Sequence, residues 1–215
     1  MTMGKEDTKM ATLRRQILLA VGLVTCMTLI GWPSSGVQSA PATAKAYFAG
    51  GCFWCMEEAF EKVDGVLTVV SGYMGGTVAD PTYEQVSDGR TGHAESIEVT
   101  YDPTKVTYQK LLDAFWRNID PTTPNAQFCD HGNQYRSVVF YTTDEERQLS
   151  EDSKRAIEQS KRLPAPIVTQ LVQASTFYQA EDYHQDYYKK NPFRYKYYKF
   201  SCGRAQRLET LWGKQ

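Results

Sequence analysis

The stretch that decides the fold lies at positions 45–63 and reads KAYFAGGCFWCMEEAFEKV. Its first five residues, 45–49, predict a short strand that ends at two glycines. From 52 to 63 the apolar residues recur at spacings of three and four, which predicts an amphipathic helix. A strand that turns directly into a helix places Cys52 at the helix start.

The rest of the chain continues the alternation of strands and helices. Strands are predicted at 66–73, 93–101, 137–142 and 167–172. Thr107 and Thr143 are predicted N-caps of two further helices, and 178–190 is predicted as a short helix. Two long polar loops, 72–92 and 120–136, interrupt the pattern, and loops of this length are often functional. The order strand, helix, strand, strand, helix, strand indicates one α+β domain. We expect a two-layer sandwich with a mixed sheet around a split βαβ (ferredoxin-like) core and long functional loops.

Composition excludes several classes of protein. The chain has 215 residues, 41% of them hydrophobic, which is long and apolar enough for one well-packed domain. Its 24 basic and 25 acidic side chains give a formal net charge of −1, so we expect no nucleic-acid partner. Five cysteines are too few for a fold held together by disulfides at this length.

The N-terminal region has the pattern of a secretory signal. Four basic side chains before position 16 precede an uncharged apolar run at 17–30, and small residues including Ala40-Pro41-Ala42 follow. The run is shorter than the roughly 20 residues that a membrane-spanning helix needs. We therefore predict a signal peptide with a short linker at 1–44, a folded domain at 45–215, and an exported protein, periplasmic or secreted. An uncleaved anchor at 17–30 is the alternative.

Cys52 is the first candidate for chemistry. The first backbone N–H groups of a helix have no intrahelical partner and favour an anion, so a helix start can lower a thiol pKa from about 8.5. Gly50 and Gly51 would let the backbone turn tightly and leave the sulfur open to approach. The alternative is a structural cysteine packed under the sheet.

Cys55 follows within one helical turn, close enough for a disulfide with Cys52. A C-x-x-C pair serves redox exchange or supplies half of a zinc site. A zinc site needs a second close pair, whereas Cys129, Cys202 and the three histidines are scattered along the chain. We expect no metal.

Several sequence blocks together resemble the A-type peptide methionine sulfoxide reductases. The blocks are GCFWCME at 51–57, GYMGG at 72–76, PTYEQV at 81–86, TGHAE at 91–95 and GNQYRS at 132–137. They occur in the family's order and cover nearly all of 45–191. Several independent blocks are specific, whereas a lone C-x-x-C is weak.

The resemblance implies reduction of the S epimer of methionine sulfoxide, free or in proteins, to methionine. Cys52 would attack the sulfoxide sulfur and become a sulfenic acid, which a second thiol would convert to a disulfide. A thioredoxin or thioredoxin-like protein would then restore the dithiol. The resemblance implies no metal or organic cofactor, and we expect a monomer.

The resemblance also assigns the remaining site residues. Glu95 would protonate the leaving oxygen, and burial near aromatic rings would raise its pKa above about 4.3. Tyr83 and Tyr135 match the positions of two hydroxyl donors. Phe53 and Trp54 match the aromatic residues that contact the substrate methyl group. Asp130 matches an acid that orients neighbouring donors or the substrate.

The thiol that resolves the sulfenic acid remains open among three candidates. Many family members carry glycine at the position of Cys55 and end in a glycine-rich tail with a recycling cysteine, whereas this tail reads FSCGRAQRL at 200–208. Helical proximity favours Cys55, since no loop has to close. Cys202 is favoured by its place in the tail, and Cys129 by its place beside Asp130. A relay that uses both Cys55 and Cys202 also fits, and Cys129 is alternatively a packed pocket thiol.

Three other functions compete with this interpretation. A general thiol–disulfide oxidoreductase would use Cys52 and Cys55 without needing Glu95. A hydrolase would pair Cys52 with His93 or His131. A secreted methionine- or peptide-binding module would need no thiol chemistry.

Overall fold

The structure is a computed structural model that describes residues 42–214. The described residues form eight strands: β1 (Ala44–Gly50), β2 (Val66–Met74), β3 (Ala94–Tyr101), β4 (Ala126–Gln127), β5 (Asp130–His131), β6 (Ser137–Tyr141), β7 (Gln170–Gln173) and β8 (Tyr178–Gln179). The same residues form seven α-helices: α1 (Phe53–Phe60), α2 (Tyr83–Ser87), α3 (Tyr108–Arg117), α4 (Asp144–Gln159), α5 (Tyr187–Lys190), α6 (Pro192–Ser201) and α7 (Arg204–Trp212). The predicted signal peptide, up to residue 41, lies outside the described residues.

Six strands form one mixed sheet in the order β7-β6-β1-β3-β2-β8. Strands β6 and β7 run parallel, and every other neighbouring pair in this sheet is antiparallel. In the centre of the sheet, Phe48 of β1 lies opposite Ile97 of β3 and Val139 of β6. The predicted α+β class and the mixed sheet are confirmed.

The side chains of β1 alternate between two apolar layers. Ala46 and Phe48 belong to the main core, which the helices α1, α3 and α7 complete. Tyr47 and Ala49 lie in a smaller cluster with Phe140, on the opposite face of the strand. Strand β3 alternates in the same way, so that Glu95 shares its face with the core residues Ile97 and Val99.

Several predicted boundaries agree with the structure. Thr107 and Thr143 are the N-caps of α3 and α4, and each side-chain oxygen accepts a hydrogen bond from the backbone N–H three residues on. The first helix is shorter than predicted, since it ends at Phe60. The strand predicted at 167–172 is β7, which begins later than predicted, at Gln170.

The predicted helix at 178–190 is wrong over most of its length. Tyr178 and Gln179 instead form β8, which pairs with β2, and only Tyr187–Lys190 is helical. Tertiary hydrogen bonds explain the difference. The Glu181 carboxylate accepts from the Tyr83 backbone N–H and the Tyr73 hydroxyl, and the Gln185 side chain bonds the β2 backbone.

The two long loops contain short elements that the sequence did not predict. The first contains α2, which begins with a capping box between Thr82 and Gln85. The second contains the β4–β5 hairpin and one turn of 3-10 helix at Asn133–Tyr135. Within residues 42–214, no helix combines the length and the apolar character that crossing a bilayer requires.

The turn between β1 and α1 depends on Gly51. Its φ is +82°, a left-handed conformation that glycine adopts without steric cost. A Cβ at this position would lie 2.4 Å from Cβ of Gln127, whose side chain in turn bonds the Asp120 backbone N–H and carbonyl. The close approach brings the second loop against the start of α1 and so assembles two sides of the site.

Candidate functional site

A small pocket of about 110 Å³ opens at the start of α1. Eight residues from β3, β5, α1, α2, α6, the 3-10 turn and the turn before α1 line it: Cys52, Phe53, Trp54, Tyr83, Glu95, Asp130, Tyr135 and Tyr198. The structure thus brings together all seven residues that the sequence predicted for catalysis and substrate binding. Tyr198, from α6, is the lining residue that sequence reasoning missed.

Cys52 is the N-cap of α1, but its sulfur is not the open thiolate that the sequence predicted. The residue is only 4% exposed, and burial raises the pKa of its thiol well above the usual range. A hydrogen bond between the Cys52 and Cys55 side chains adds to that rise. Burial thus favours the thiol form of Cys52 over the thiolate in the free site.

The pKa of the Cys55 thiol shifts in the opposite direction, below its ordinary value. The hydrogen bond from Cys52 lowers the pKa of Cys55, and the nearby cations Arg204 and Lys199 lower it further, against the effect of burial. Arg204 is itself buried, and its guanidinium lies over the ring of Phe128. Cys55 faces a second cavity, of about 430 Å³, that Lys199 and Arg204 also line. The two hydrogen-bonded thiols thus lie between the pocket and the cation-lined cavity.

Glu95 is held as an acid. Burial raises its pKa to about 8, although the Phe53 backbone N–H donates to Oε2 at 3.0 Å, which favours the carboxylate. The nearby Asp130 and Cys55 raise the pKa further. The direction agrees with the sequence-based expectation, and at neutral pH most of the Glu95 side chains carry a proton that can be donated.

Hydroxyl groups line the rest of the polar side of the pocket. Burial raises the pKa of both Tyr83 and Tyr135, so both remain protonated donors. The Tyr198 hydroxyl donates to Oδ2 of Asp130 at 2.5 Å and also lies within hydrogen-bonding range of the Cys52 thiol. Burial raises the pKa of Asp130, while the Tyr198 hydrogen bond lowers it. Asp130 thus holds Tyr198 in place beside the sulfur.

The aromatic side of the pocket is held by residues that the sequence analysis did not assign. Trp54 stacks on Tyr187 with ring centroids 3.7 Å apart, and its indole N–H donates to Nδ1 of His184 at 3.1 Å. His184 also lies 5.0 Å from Phe53 between ring centroids. Burial lowers the pKa of His184, which keeps the ring neutral and Nδ1 free to accept. His184 lies in a tyrosine-rich run, and its sequence neighbours do not identify it as a partner of Trp54.

Cys129 and Cys202 are joined in a disulfide, with Cα atoms 4.9 Å apart and 73 positions between them in the chain. The bond connects the pocket loop next to Asp130 to the end of α6. Cys52 and Cys55 are both free. In this state, Cys55 is the candidate resolving thiol that is reduced and adjacent to Cys52, whereas Cys202 and Cys129 are already oxidised.

Two clusters within residues 42–214 bring three ligand-type atoms close together: Cys129, Asp130 and Cys202, and Glu57, Glu61 and Asp186. The two sulfurs of the first are bonded to each other. In the second, Nζ of Lys189 lies 2.6 Å from Glu61 and 2.7 Å from Asp186, so a cation already balances the carboxylates. Neither arrangement is suited to a metal ion.

The predicted hydrolase pairing lacks its histidine. Neither His93 nor His131 lines the pocket. His93 is instead bonded through both ring nitrogens, Nδ1 to the Gly76 backbone N–H and Nε2 to the Val78 carbonyl. His131 is exposed. A larger groove of about 640 Å³ between α3 and α4 contains no cysteine.

A protonated carboxyl group, a pair of hydrogen-bonded thiols and a small aromatic pocket define the site of a cysteine-dependent oxidoreductase. The comparisons with known proteins agree. A profile of the family described as peptide methionine sulfoxide reductase matches residues 44–215. The chain belongs to the peptide methionine sulfoxide reductase family.

Relatives and solved structures are similar across the same region. The peptide methionine sulfoxide reductase MsrA of Halalkalibacterium halodurans is 50% identical over 170 residues, which are 79% of this chain and 97% of the relative. That of Listeria innocua is 48% identical over 168 residues, or 78% of this chain and 95% of the relative. Reduced Mxr1 from Saccharomyces cerevisiae superposes with a TM-score of 0.65 and 34% identity, covering 70% of this chain and 86% of that chain. Methionine sulfoxide reductase A of Corynebacterium diphtheriae superposes with a TM-score of 0.63 and 34% identity, covering 72% of this chain and 77% of that chain.

Proposed function

We propose that this protein reduces the S epimer of methionine sulfoxide to methionine, through a sulfenic acid on Cys52 and then an intramolecular disulfide. The observation that carries the proposal is the pocket itself, in which Cys52, Glu95 and two aromatic side chains surround a space of about 110 Å³. That space suits one side chain of methionine sulfoxide, with its methyl group against Phe53 and Trp54.

The first step forms a bond between the Cys52 sulfur and the sulfoxide sulfur. The proton on Cys52 passes to Cys55, to which it is already hydrogen-bonded, and Glu95 donates its proton to the sulfoxide oxygen. The S–O bond then breaks as the hydroxyl group moves to Cys52. The bond between the two sulfurs also breaks and leaves an electron pair on the methionine sulfur, so methionine departs and Cys52 holds the oxygen as a sulfenic acid. Tyr83, Tyr135 and Tyr198 line the pocket as donors that orient the S–O group.

The second step forms the disulfide. Cys55, now a thiol, attacks the Cys52 sulfenic acid, and water leaves with the oxygen and the Cys55 proton. Two observations support Cys55 as the resolving residue: it is hydrogen-bonded to Cys52, and Cys129 and Cys202 are occupied with each other. Thiol–disulfide exchange with a thioredoxin-like dithiol then restores both thiols and oxidises the donor. No metal or organic cofactor is needed in this scheme.

The alternative to direct recycling of a Cys52–Cys55 disulfide is a relay that passes the disulfide to Cys129 and Cys202. If both of its thiols were reduced in the cell, they would accept the disulfide from Cys52 and Cys55 by exchange. Mapping of disulfides by mass spectrometry, after one equivalent of methionine sulfoxide is added to fully reduced protein, distinguishes the two routes. A Cys52–Cys55 bond that precedes Cys129–Cys202 supports the relay, and one that persists alone supports direct resolution.

One assay tests the function as a whole. The protein should produce methionine from methionine-S-sulfoxide with a dithiol reductant, and the R epimer should remain. A general thiol–disulfide oxidoreductase would instead reduce insulin disulfides with no sulfoxide present. Loss of sulfoxide reduction together with rapid insulin reduction would overturn the proposal.

The setting of the reaction is part of the proposal. The basic, apolar and small-residue pattern of 1–44 supports export, with an anchor at 17–30 if that segment is retained. Outside the cytosol the enzyme would repair oxidised proteins as a monomer. N-terminal sequencing of the mature protein and sedimentation velocity test these two points.

The scaffold of the site is proposed to have a split βαβ core of the ferredoxin-like type. The elements would be β1, α1, β2, β3, α3 and β6, and the strand order β6-β1-β3-β2 supports the assignment.

A further inference from the structure

Helix α6 exposes three aromatic side chains to solvent. Phe193, Tyr197 and Phe200 are 89%, 75% and 76% exposed. Their spacing of four and three residues places them on one side of the helix, where they form a continuous stripe. We call these three residues the aromatic stripe. Large apolar side chains grouped on a surface commonly mark an interaction site.

The opposite side of α6 is firmly attached to the domain. Tyr195 is buried and donates to Oε2 of Glu58 at 2.6 Å, Tyr198 donates to Asp130, and Cys202, directly after the helix, is bonded to Cys129. At roughly 100° per residue, positions 195, 198 and 202 lie on the side opposite the aromatic stripe. The stripe therefore faces outward from a helix that cannot rotate to bury it.

The charged residues within and next to α6 in the sequence are all basic. No acidic residue occurs from 187 to 204. Lys189 and Lys199 are paired with carboxylates of the domain. Arg194 and Lys196 are exposed, flank the stripe on its two sides, and have no hydrogen-bond or ion-pair partner among the described residues. Two free cations thus border an aromatic ridge.

We propose that this side of α6 docks on an anionic lipid surface. Aromatic side chains favour the headgroup level of a bilayer, and flanking Arg and Lys side chains attract anionic lipids while their stems cover apolar surface. A helix that lies in the plane of the interface needs this division between an aromatic side and a basic border.

A lipid surface fits better than a protein partner because the stripe is a ridge. Tyr198 and Lys199 of the same helix line the two cavities nearest to the thiols, and none of the three stripe residues lines either cavity. The residues that dominate protein–protein affinity are usually seated in well-packed pockets. A bilayer accepts a ridge without needing a matching shape.

The test uses residues 42–215, because the apolar run at 17–30 would itself bind lipid. This part folds alone, since relatives consisting almost entirely of the matching region exist. We expect it to sediment with phosphatidylglycerol-containing vesicles and to bind pure phosphatidylcholine vesicles more weakly. The triple variant Phe193→Ser, Tyr197→Ser, Phe200→Ser should lower the partition coefficient about tenfold or more. Arg194→Gln with Lys196→Gln should remove most of the preference for the anionic lipid.

A matched control changes three exposed apolar residues elsewhere: Leu67→Thr, Val168→Thr and Val172→Thr. This control should bind vesicles as the unchanged domain does, and all variants should keep the dithiol-driven reduction of free methionine sulfoxide, which shows that they are folded. Absence of binding to the anionic vesicles, or equal binding by the stripe variant, would overturn the proposal. A concentration-dependent dimer that only the stripe variant loses would also overturn it and assign the stripe to self-association.

Discussion

The carboxyl group of Glu95 and the backbone N–H of Phe53 meet at 3.0 Å, across a separation of 42 positions in the chain. This hydrogen bond places the acid of β3 beside the start of α1, next to Cys52. It favours the carboxylate, yet burial is the stronger influence and keeps the pKa at about 8. The proton donor and the nucleophile are therefore positioned by one strand and one helix of the rigid core.

Glu95→Gln should lower kcat for methionine sulfoxide by about 100-fold or more, because the amide cannot release a proton to the leaving oxygen. In the unchanged enzyme, the rate of the sulfoxide-reduction step should fall as pH rises through about 8, where Glu95 loses its proton. Single-turnover rates measured at about five pH values between roughly 6 and 10 would show this loss. A Glu95→Gln profile with the same decline near pH 8 would assign it to another group.

The same carboxyl group should make stability depend on pH. Because the pKa of Glu95 is about 8 in the folded protein and about 4.3 in an unfolded chain, the folded state holds an extra proton in between. Glu95 therefore makes its full contribution to the free energy of unfolding below pH about 4, and this contribution is lost as the pH rises to about 8. Glu95→Gln should gain stability relative to the unchanged protein between pH 5 and 8, as urea unfolding at several pH values would measure. A stability difference between the two proteins that does not change with pH would contradict the raised pKa of Glu95.

Cys55→Ser should leave one stoichiometric turnover and stop recycling, whereas Cys52→Ser should abolish both. The reason is that Cys55 is the free thiol hydrogen-bonded to Cys52. Quantifying methionine per enzyme, without reductant and then with a thioredoxin system, separates the two steps. Full cycling by Cys55→Ser would move the resolving role to Cys202 or Cys129.

His184→Leu should raise KM for methionine sulfoxide about two- to tenfold with a smaller effect on kcat, since Trp54 would lose its hydrogen-bond acceptor. His184→Asn, whose side-chain oxygen can accept the same bond, should recover part of the loss. Tyr183→Phe is the control, because Tyr183 is an exposed neighbour. Steady-state kinetics on all three would check the positioning role. Equal losses for His184→Leu and His184→Asn would argue against it.

Gly51→Ala should destabilise the fold by about 3 kcal/mol or more, because backbone strain and a contact with Gln127 add together. Gly203→Ala is the matched control. Gly203 also has a positive φ, +65°, but an added Cβ there would meet nothing within 4 Å. Its cost should be about 1 kcal/mol, from strain alone. Urea unfolding of both variants makes the comparison, and equal costs would mean that the Gln127 contact relaxes freely.

Removing the Cys129–Cys202 bond should lower the free energy of unfolding by up to about 4 kcal/mol, as expected for a loop of this length. The double variant Cys129→Ser, Cys202→Ser should still reduce methionine sulfoxide with a small dithiol reductant. Urea unfolding and turnover assays would measure the two effects. Unchanged stability would mean that the bond does not form in the mature protein.

Much of the site could be predicted because its residues lie in recognisable blocks. Glu95 is one of these, and in the structure it lies on the same buried face of β3 as Ile97 and Val99. The burial of Cys52 could not be predicted from its sequence neighbours, because Tyr187, Tyr195 and Tyr198 from a distant part of the chain pack in the same cluster. The segment at 178–190 was misread for a similar reason, since side chains of Glu181 and Gln185 bond to β2 and α2 rather than within a helix.

The sequence by itself determined the strand and helix pattern, the reactive blocks and the place of Cys52 at a helix start, because these depend on local periodicity and spacing. Only the tertiary structure decided which thiols are free, in which direction burial and nearby groups shift the pKa values of Cys52 and Cys55, and which side of α6 faces solvent. Those properties depend on burial and on contacts such as the one between Cys129 and Cys202, 73 positions apart. Spacing along the chain carries no information about such distances until the sheet and its helices bring the segments together.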